Sequence, residues 1–455
     1  MGNLLTSLFN SAGALQAFQN GLDTTQNNVS NSSTPGYAKQ IPVMEANAFD
    51  LSIGLPGGVT AGPTQSSRNA FAERNVQDQQ SALGVSQQRA SDLNPVQSLF
   101  DLSGTTGIDA ALSGLFNSFS QLSVSPNDSS ARQSVIDQAQ LTAQSFQQAA
   151  NGLQSISSSV YGETSGYVAQ VNQIADQIGQ INADRRSGAS SPNDAGADAQ
   201  VNSVLEQLSQ LINFTALQQP DGTVTIYAGG QMPLVIGTTV QHLQTASVSS
   251  QTQILDSQGN NITSEFTGGE LAGALSVENT TIPSYLNNLN TLAQGVADQV
   301  NTTLSQGVDI NGNAPATNLF SYNAATGAAL TLAVTGITGD QLAAALPGSP
   351  GGNGNALNLS ALADAKTVNG FTFSGYYGQL GSQVGQDISN AQNDQTTRQQ
   401  LLNQAQSLRQ QLSGVSLDEE AARLLQFQKS YEAASKMVTI LSNLTDVVIN
   451  MIPQQ

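Results

Sequence analysis

The sequence lacks cysteine and tryptophan, holds one histidine, and has 13 lysine and arginine residues against 32 aspartate and glutamate residues. Without cysteine the chain can form no disulfide, no thiolate nucleophile and no cysteine-ligated zinc site. The single histidine, His242, cannot make a two-histidine metal site, and we interpret it as a surface residue or a hydrogen-bonded residue of a strand. The shortage of basic residues argues against binding to nucleic acid or to an anionic membrane.

Long apolar runs are also absent from the sequence. No stretch approaches the roughly 20 residues that a membrane-spanning helix needs. The first basic residue is Lys39, so the chain begins without the charged segment of a cleaved signal peptide. We therefore predict neither a membrane span nor a cleaved signal peptide. The length of 455 residues is nevertheless ample for two or three domains.

Two groups of side chains that could hold a metal or a proton have simpler explanations. Asp309, Asn311 and Asn313 resemble the first half of a calcium loop, but position twelve is Phe320 rather than a glutamate, which favours a turn. The acidic residues 418–420 are adjacent on a helix and cannot converge on one point, so we interpret them as charges that stabilise the helix N-terminus. The sequence therefore predicts no catalytic residue, metal ligand or cofactor site, and no enzyme.

The most regular pattern in the sequence lies at the C-terminal end, in residues 415–455. Ser416 can cap a helix here, and the apolar residues that follow recur in alternating steps of three and four, which predicts one continuous contact face. A second apolar row beside it, which includes Ile440 and Leu444, indicates more than one neighbour. The predicted contact face, which we call the C-terminal seam, consists of Leu417, Leu424, Phe427, Tyr431, Val438, Leu441, Val448 and Ile452.

The first residues of the chain carry a similar pattern. The predicted N-terminal seam consists of Leu8, Leu15, Leu22 and Val29, and a weaker parallel row consists of Leu4, Ser11, Phe18 and Thr25. A run of short polar residues follows, and the helix must end in it because a Pro-Gly pair cannot continue a helix. We call six of these residues the polar motif: Asn27, Asn28, Asn31, Thr34, Gly36 and Tyr37. From periodicity alone, the two seams can pack within one monomer or between subunits.

The middle of the chain alternates between helical and strand periodicity. The longest helical signal runs from Phe146 to Ile181, and residues 38–68 predict an extended connector with a hairpin. We predict an α+β fold in which terminal helices form an assembly coiled coil, beside a long helical-bundle domain and an inserted β-rich outer domain. The predicted parts are terminal helices over 1–40 and 415–455, a helical bundle over 41–213, 266–307 and 376–414, and the β-rich insert over 214–265 and 308–375.

The polar motif resembles the signature that follows the first helix in bacterial flagellar axial proteins, which include rod, hook and hook-associated proteins. The segment 414–433 is most similar to the hook-associated protein 1 family, the hook–filament junction proteins. Shorter similar segments lie at 221–231, 268–273 and 307–312. Two features depart from that family: Leu304 replaces an expected histidine, and the second β-rich region is short.

The resemblance implies a structural subunit in which paired terminal helices line a central channel, surrounded by the helical bundle, with the β-rich domain outside. It also implies polymerisation through the terminal helices, which attaches the filament to the hook. The implied partners are copies of the same chain, the hook protein below, the second junction protein above, and an export chaperone on the C-terminal helix. The implied location is the bacterial flagellum outside the cell, reached without a cleaved signal peptide. The alternatives are another axial protein (hook, distal rod or second junction protein) and a secreted adhesin that uses the flagellar export route.

Overall fold

The computed structural model describes residues 2–50, 55–101, 105–189, 191, 194–248 and 250–451. The helices are α1 (Gly2–Ser30), α2 (Ala70–Leu93), α3 (Gly107–Val124), α4 (Ser129–Arg186), α5 (Ala195–Leu211), α6 (Gly269–Ser276), α7 (Ile282–Ser305), α8 (Ala328–Thr331), α9 (Gly354–Ala361), α10 (Phe373–Ser413) and α11 (Leu417–Asn450). A π-helical turn, Val277–Thr281, joins α6 to α7. Long helices with small separate sheets confirm the predicted α+β class. None of the helices in the described ranges is both long and apolar enough to cross a membrane.

The strands are short and form five two-stranded pairs and one four-stranded sheet within the described residues. They are β1 (Gln40–Ile41), β2 (Met44–Ala46), β3 (Phe49–Asp50), β4 (Leu55–Pro56), β5 (Val59–Ala61), β6 (Gln65–Ser66), β7 (Phe214–Gln218), β8 (Val224–Ala228), β9 (Met232–Ile236), β10 (Thr239–Val240), β11 (Gln244–Val248), β12 (Gln251–Leu255), β13 (Phe320–Ser321) and β14 (Ala333–Val334). The antiparallel sheet β10-β9-β8-β7 and the hairpin β11-β12 fall in the segment 214–265, where the alternation of the sequence predicts strands.

The connector after α1 is a nested antiparallel hairpin. Strand β1 pairs with β6, β2 with β5, and β3 with β4, so that the chain runs out and returns beside itself. This arm lies along α1, where the carbonyl oxygen of Val59 is 3.5 Å from the position that a Cβ on Gly13 would take. The first part of the segment 41–213 is therefore β structure, and the helical body begins at α2.

Within the described residues the helical body contains two large apolar cores and one small apolar cluster, which is formed by Val76 and Leu83 of α2 with Leu402 and Ala405 of α10. The first core lies among α3, the first half of α4, α7 and α10, and includes Phe119, Phe146 and Leu292. The second lies among the second half of α4, α5, α6 and strands β7 to β12, and includes Ile178, Leu208 and Ile226. The predicted long helix is confirmed and is longer than predicted, since α4 has 58 residues and begins where the Asp128 side chain accepts a hydrogen bond from the amide of Ser130.

The prediction of β structure over 308–375 is wrong for most of that segment. It contains only the two-residue strands β13 and β14, with the short helices α8 and α9. Its apolar side chains, among them Leu332 and Leu359, join the first core. The buried guanidinium of Arg132 on α4 donates to the carbonyl oxygens of Gly339 (3.0 Å) and Leu342 (2.8 Å), which holds this irregular segment against the helices. An alternation over three apolar residues is too short to distinguish a strand from a loop that packs on a core.

Asparagine side chains attach several extended segments to the helices. In each case the side-chain amide donates to the carbonyl oxygen of one residue and the side-chain oxygen accepts from the backbone N–H of the same residue, so the asparagine pairs as a neighbouring strand would. We call this arrangement an asparagine clamp. Five such clamps lie within the described residues: Asn28 with Gln40, Asn172 with Leu243, Asn182 with Val224, Asn279 with Thr252, and Asn301 with Phe320.

Candidate assembly face and the joint at its base

One asparagine of the polar motif connects three parts of the chain at the C-terminal end of α1. Asn28 is fully buried, at 0% exposure, and uses all four of its hydrogen-bonding positions. Its amide donates to the carbonyl oxygen of Gln40 (2.8 Å) and to Oε2 of Glu420 (2.9 Å). Its Oδ1 accepts from the N–H of Gln40 (2.8 Å) and from the hydroxyl of Tyr37 (2.9 Å). A single side chain therefore links α1, the start of the arm and the first turn of α11.

The other members of the motif shape the turn that follows α1. The Asn31 amide donates to the carbonyl oxygen of Asn27 (3.0 Å), and the Thr34 hydroxyl donates to Oδ1 of Asn31 (3.1 Å). The backbone N–H of Thr34 donates to the carbonyl oxygen of Asn31 and that of Tyr37 to the carbonyl oxygen of Thr34. These short polar side chains take up the backbone groups left over at the helix end. The turn then returns Tyr37 to the side of Asn28.

Charged side chains also stabilise this link between α1, the arm and α11, which we call the joint. Lys39 Nζ lies 2.8 Å from Oε2 of Glu419 and 3.6 Å from Oε1 of the fully buried Glu420. Burial, assisted by the negative charge of Glu420, raises the pKa of Tyr37 to about 12, so its hydroxyl keeps the proton that it donates to Asn28. The hydrogen bond from Lys39 lowers the pKa of the Glu419 carboxyl. The sequence predicts only that the acidic residues 418–420 stabilise the helix N-terminus. It does not predict that Glu420 is buried and accepts a hydrogen bond from Asn28, because the two residues are far apart in the sequence.

Gly36 fits the turn against the helical body. Its φ is +73°, and a Cβ at this position would lie 2.2 Å from the carbonyl oxygen of Ala199 and 2.8 Å from the amide nitrogen of Ser203, both on α5. Arg68 donates to the carbonyl oxygen of Gly36 (2.6 Å) and forms ion pairs with Glu73 and Asp198. The motif therefore docks on the body through a backbone contact that only glycine permits.

We expect Gly36→Ala to lower the free energy of unfolding by about 2–4 kcal/mol, because the new Cβ meets backbone atoms of α5 and the left-handed φ is strained. Gly188→Ala is the matched control, since Gly188 has φ +77° with nothing within 4 Å of its Cβ position. This control carries only the backbone strain, about 1–2 kcal/mol. Urea denaturation of both variants measures the difference, and equal losses would show that the close contact with α5 contributes nothing.

The C-terminal seam lies against α1 within the same chain. Leu424, Phe427, Tyr431, Val438 and Leu441 are partly buried along this contact. The two ends of the seam are more exposed than its middle, since Leu417 is 55% and Val448 is 37% exposed. Ile452 lies outside the described residues.

The N-terminal seam differs from its prediction. Leu8, Leu15 and Leu22 are only partly buried and Val29 is 39% exposed. The positions of α1 that are buried in the contact with α11 and the arm are small or polar: Ala17, Gly21, Thr25 and Asn28. The reason is close approach, because a Cβ on Gly21 would lie 3.0 Å from ring atoms of Phe427. The leucine row therefore flanks the contact and does not fill it.

The helix pair leaves a large apolar surface uncovered, which we call the terminal apolar face. Its side chains are between 43% and 76% exposed. Most of them belong to the second apolar row of α11, and two belong to the start of α1. The members are Leu5, Phe9, Leu425, Met437, Ile440, Leu444, Val447 and Met451.

The remaining candidates have structural explanations. His242 Nε2 lies 2.9 Å from Oδ1 of Asp176 in an exposed surface pair. Oδ1 of Asp309 accepts from the backbone N–H groups of Asn311 and Asn313, both at 2.8 Å, so the predicted turn is confirmed. In the part of the chain that the structure describes, no group of three or more acidic or histidine side chains could hold a metal ion.

Comparison with known proteins gives a consistent result along the chain. The family described as "Flagellar hook-associated protein FlgK helical domain" matches residues 93–320, half of the chain. The terminal segments match families of flagellar rod proteins, described as "Flagella basal body rod protein" over residues 8–37 and "Flagellar basal body rod FlgEFG protein C-terminal" over residues 406–451.

Two curated relatives and one solved structure agree with these matches. Flagellar hook-associated protein 1 of Bacillus subtilis is 27% identical over 96% of both chains, and that of Escherichia coli is 24% identical over 98% of this chain and 100% of the relative. The structure of the flagellar hook junction protein FlgK from Burkholderia pseudomallei has a TM-score of 0.66 at 18% identity, covers 74% of this chain and 99% of that chain, and shows the shared fold. The resemblance inferred from the sequence is confirmed, and the chain belongs to the flagellar hook-associated protein FlgK family.

Proposed function

We propose that this protein is a structural subunit of the junction between the flagellar hook and filament, and that it polymerises through its terminal helices. The observation that carries the proposal is the terminal apolar face, whose side chains find no cover within the described residues of the chain. Each large aliphatic side chain that is buried by a neighbouring subunit contributes about 1.5 to 3 kcal/mol. Several such side chains on one helix pair are sufficient to drive assembly.

The position of the joint supports this role. The polar motif fixes α1 and α11 at their base, through Asn28 and Glu420, and docks them on α5 through Gly36. Among the described residues, the main contacts of the rest of the helix pair are with its own arm, and its apolar side remains available to other chains. The geometry suits a subunit that presents a fixed helix pair to its neighbours in a tube.

The proposed partners follow from family membership and from this surface. They are further copies of the chain, the hook protein below, the second junction protein above, and an export chaperone that covers the apolar face of α11 before assembly. We place the protein in the flagellum outside the cell. The family is structural, and we propose that this chain has no enzymatic activity.

We expect the double substitution Ile440→Ser and Leu444→Ser to leave the stability of the monomer nearly unchanged and to abolish filament attachment. Both side chains are about half exposed in the monomer (54% and 47%), so little packing is lost there. In a deletion strain that produces the variant, motility in soft agar should be lost, and electron microscopy should show hooks without filaments.

The matched control is the double substitution Leu141→Ser and Leu357→Ser on the helical body, where both side chains are 50% exposed. It makes the same chemical change at the same exposure away from the terminal helices and should support normal motility. Normal filaments in the strain with the α11 variant would disprove assembly through this face.

A further inference from the structure

The two cores of the helical body are separated by a boundary that crosses α4 and the α6–α7 connection at the same level. Helix α4 leaves the first core after Leu153 and enters the second at Val168. The α6–α7 connection passes from the second core at Leu275 to the first core at Val277. The two halves are therefore joined through helices that continue across the boundary, and not through one continuous apolar core.

The boundary is occupied by polar and acidic side chains from α2 and α4. The Gln88 amide on α2 donates to Oδ1 of Asp92 (2.7 Å) and to Oε2 of Glu163 on α4 (2.6 Å), and its Oε1 accepts from the Tyr167 hydroxyl (2.5 Å). Asp92 is only 4% exposed, and its Oδ2 has no hydrogen-bond partner among the described residues. Burial disfavours the charged form of such an acid. We call these four residues the polar layer.

Other charged groups around the layer add to its negative charge. Glu270 on α6 and Glu278 in the π-helical turn face it, and burial raises the pKa of both carboxyls. Arg89 is the basic residue of α2 in this region. Its charge offsets part of the rise that burial causes in the pKa of Tyr285 in the first core. Burial, followed by the charge of Glu163, raises the pKa of Asp92 to about 7. The layer is therefore surrounded by acids whose negative charges repel one another when all of them are ionised.

The two helical segments that cross this boundary carry features that weaken a regular helix. Helix α4 carries Gly162 and Gly166, and neither has an atom within 4 Å of its Cβ position, so no close packing requires a glycine. Glycine in a helix interior lowers its stiffness and stability relative to alanine. The α6–α7 connection contains the π-helical turn Val277–Thr281, a local interruption of regular helix.

We propose that the polar layer is a hinge between the two cores, closed while Asp92 carries a proton and released when Asp92 and Glu163 are both ionised. The closed layer holds this proton more tightly than an aspartate in water would. Opening is therefore favoured as the pH rises from about 4 to about 7, and changes little above that range. If the opened layer restores an ordinary pKa to Asp92, the opening equilibrium increases on the order of a hundredfold between about pH 5 and pH 8.

Because the chain has no cysteine, two introduced cysteines give a unique pair of spin labels. The reporting pair is Asn358→Cys on α9, beside the first core, with Gln258→Cys in the turn after β12, beside the second core. The control pair is Gln207→Cys on α5 with Gln258→Cys, both beside the second core. All three positions are exposed. Pulsed electron paramagnetic resonance then measures the distance distribution within each pair.

We expect the distribution of the reporting pair to broaden or shift between about pH 5 and pH 8, while that of the control pair stays the same. Asp92→Asn should remove the pH dependence, and Gly162→Ala with Gly166→Ala should narrow the distribution. If Asp92→Asn does not fold, Glu163→Gln at an exposed position tests the same repulsion between Asp92 and Glu163. A reporting pair whose distance distribution neither broadens nor shifts between about pH 5 and pH 8 would overturn the hinge, and a pH response that survives both acid substitutions would overturn its control by this proton.

Discussion

Replacing Asn182 with aspartate is expected to lower the free energy of unfolding by about 3–5 kcal/mol, because it buries a carboxylate between α4 and the sheet β10-β9-β8-β7 and removes the donor of two buried hydrogen bonds. Asn182 is fully buried, and its amide donates to the carbonyl oxygens of Val224 (2.8 Å) and Gly237 (2.7 Å). A carboxylate cannot donate, so both carbonyl oxygens lose their partner.

The control for this substitution is Asn151→Asp, which makes the same change of charge on the same helix at an exposed position. It should change the free energy of unfolding by no more than about 0.5 kcal/mol. Urea denaturation followed by circular dichroism measures both variants. Similar values for the two would show that the asparagine clamp contributes nothing to the attachment of the sheet.

Helices of this fold could be predicted from the sequence where their apolar residues recur over many turns. The seam of α11 and the long helix α4 each extend over more than four turns, so the apolar spacing that marks their contact faces repeats many times in the sequence. Segment 214–265 could be assigned to strands for a related reason, since its alternating residues are separated by clear turn signals.

Features that depend on distant partners could not be predicted. An asparagine clamp resembles any polar residue on a helix until the strand that it pairs with is known, as with Asn182 and Val224, 42 positions apart. The close contact of α1 with α11 depends on the small Gly21 beneath the Phe427 ring, whereas a search for apolar residues selects the leucines beside it. Segment 308–375 alternates too briefly for its packing on the first core to be visible in sequence.

The second large effect is expected at the joint of the terminal helices. Asn28→Asp places a second carboxylate where the Asn28 amide now donates to Glu420 Oε2 at 2.9 Å. Two buried carboxylates at this distance repel each other, and the carbonyl oxygen of Gln40 also loses its donor, so the contact between α1 and α11 should weaken by about 3 kcal/mol or more. Asn27→Asp is the control, because Asn27 is exposed and only accepts from Asn31, as an aspartate also can.

The repulsion can be tested by reversing the pair. In the double variant Asn28→Asp with Glu420→Gln, the introduced amide can donate to the introduced carboxylate, and Lys39 remains close enough to balance the charge, since its Nζ lies 3.6 Å from Oε1 of Glu420. The double variant should therefore recover at least about 2 kcal/mol of the loss caused by Asn28→Asp alone. Hydrogen exchange of the α11 amides reports the stability of the helix pair, and motility of strains with each variant reports assembly. If the double variant exchanges as fast as Asn28→Asp alone, the bond between Asn28 and Glu420 does not hold the terminal helices together.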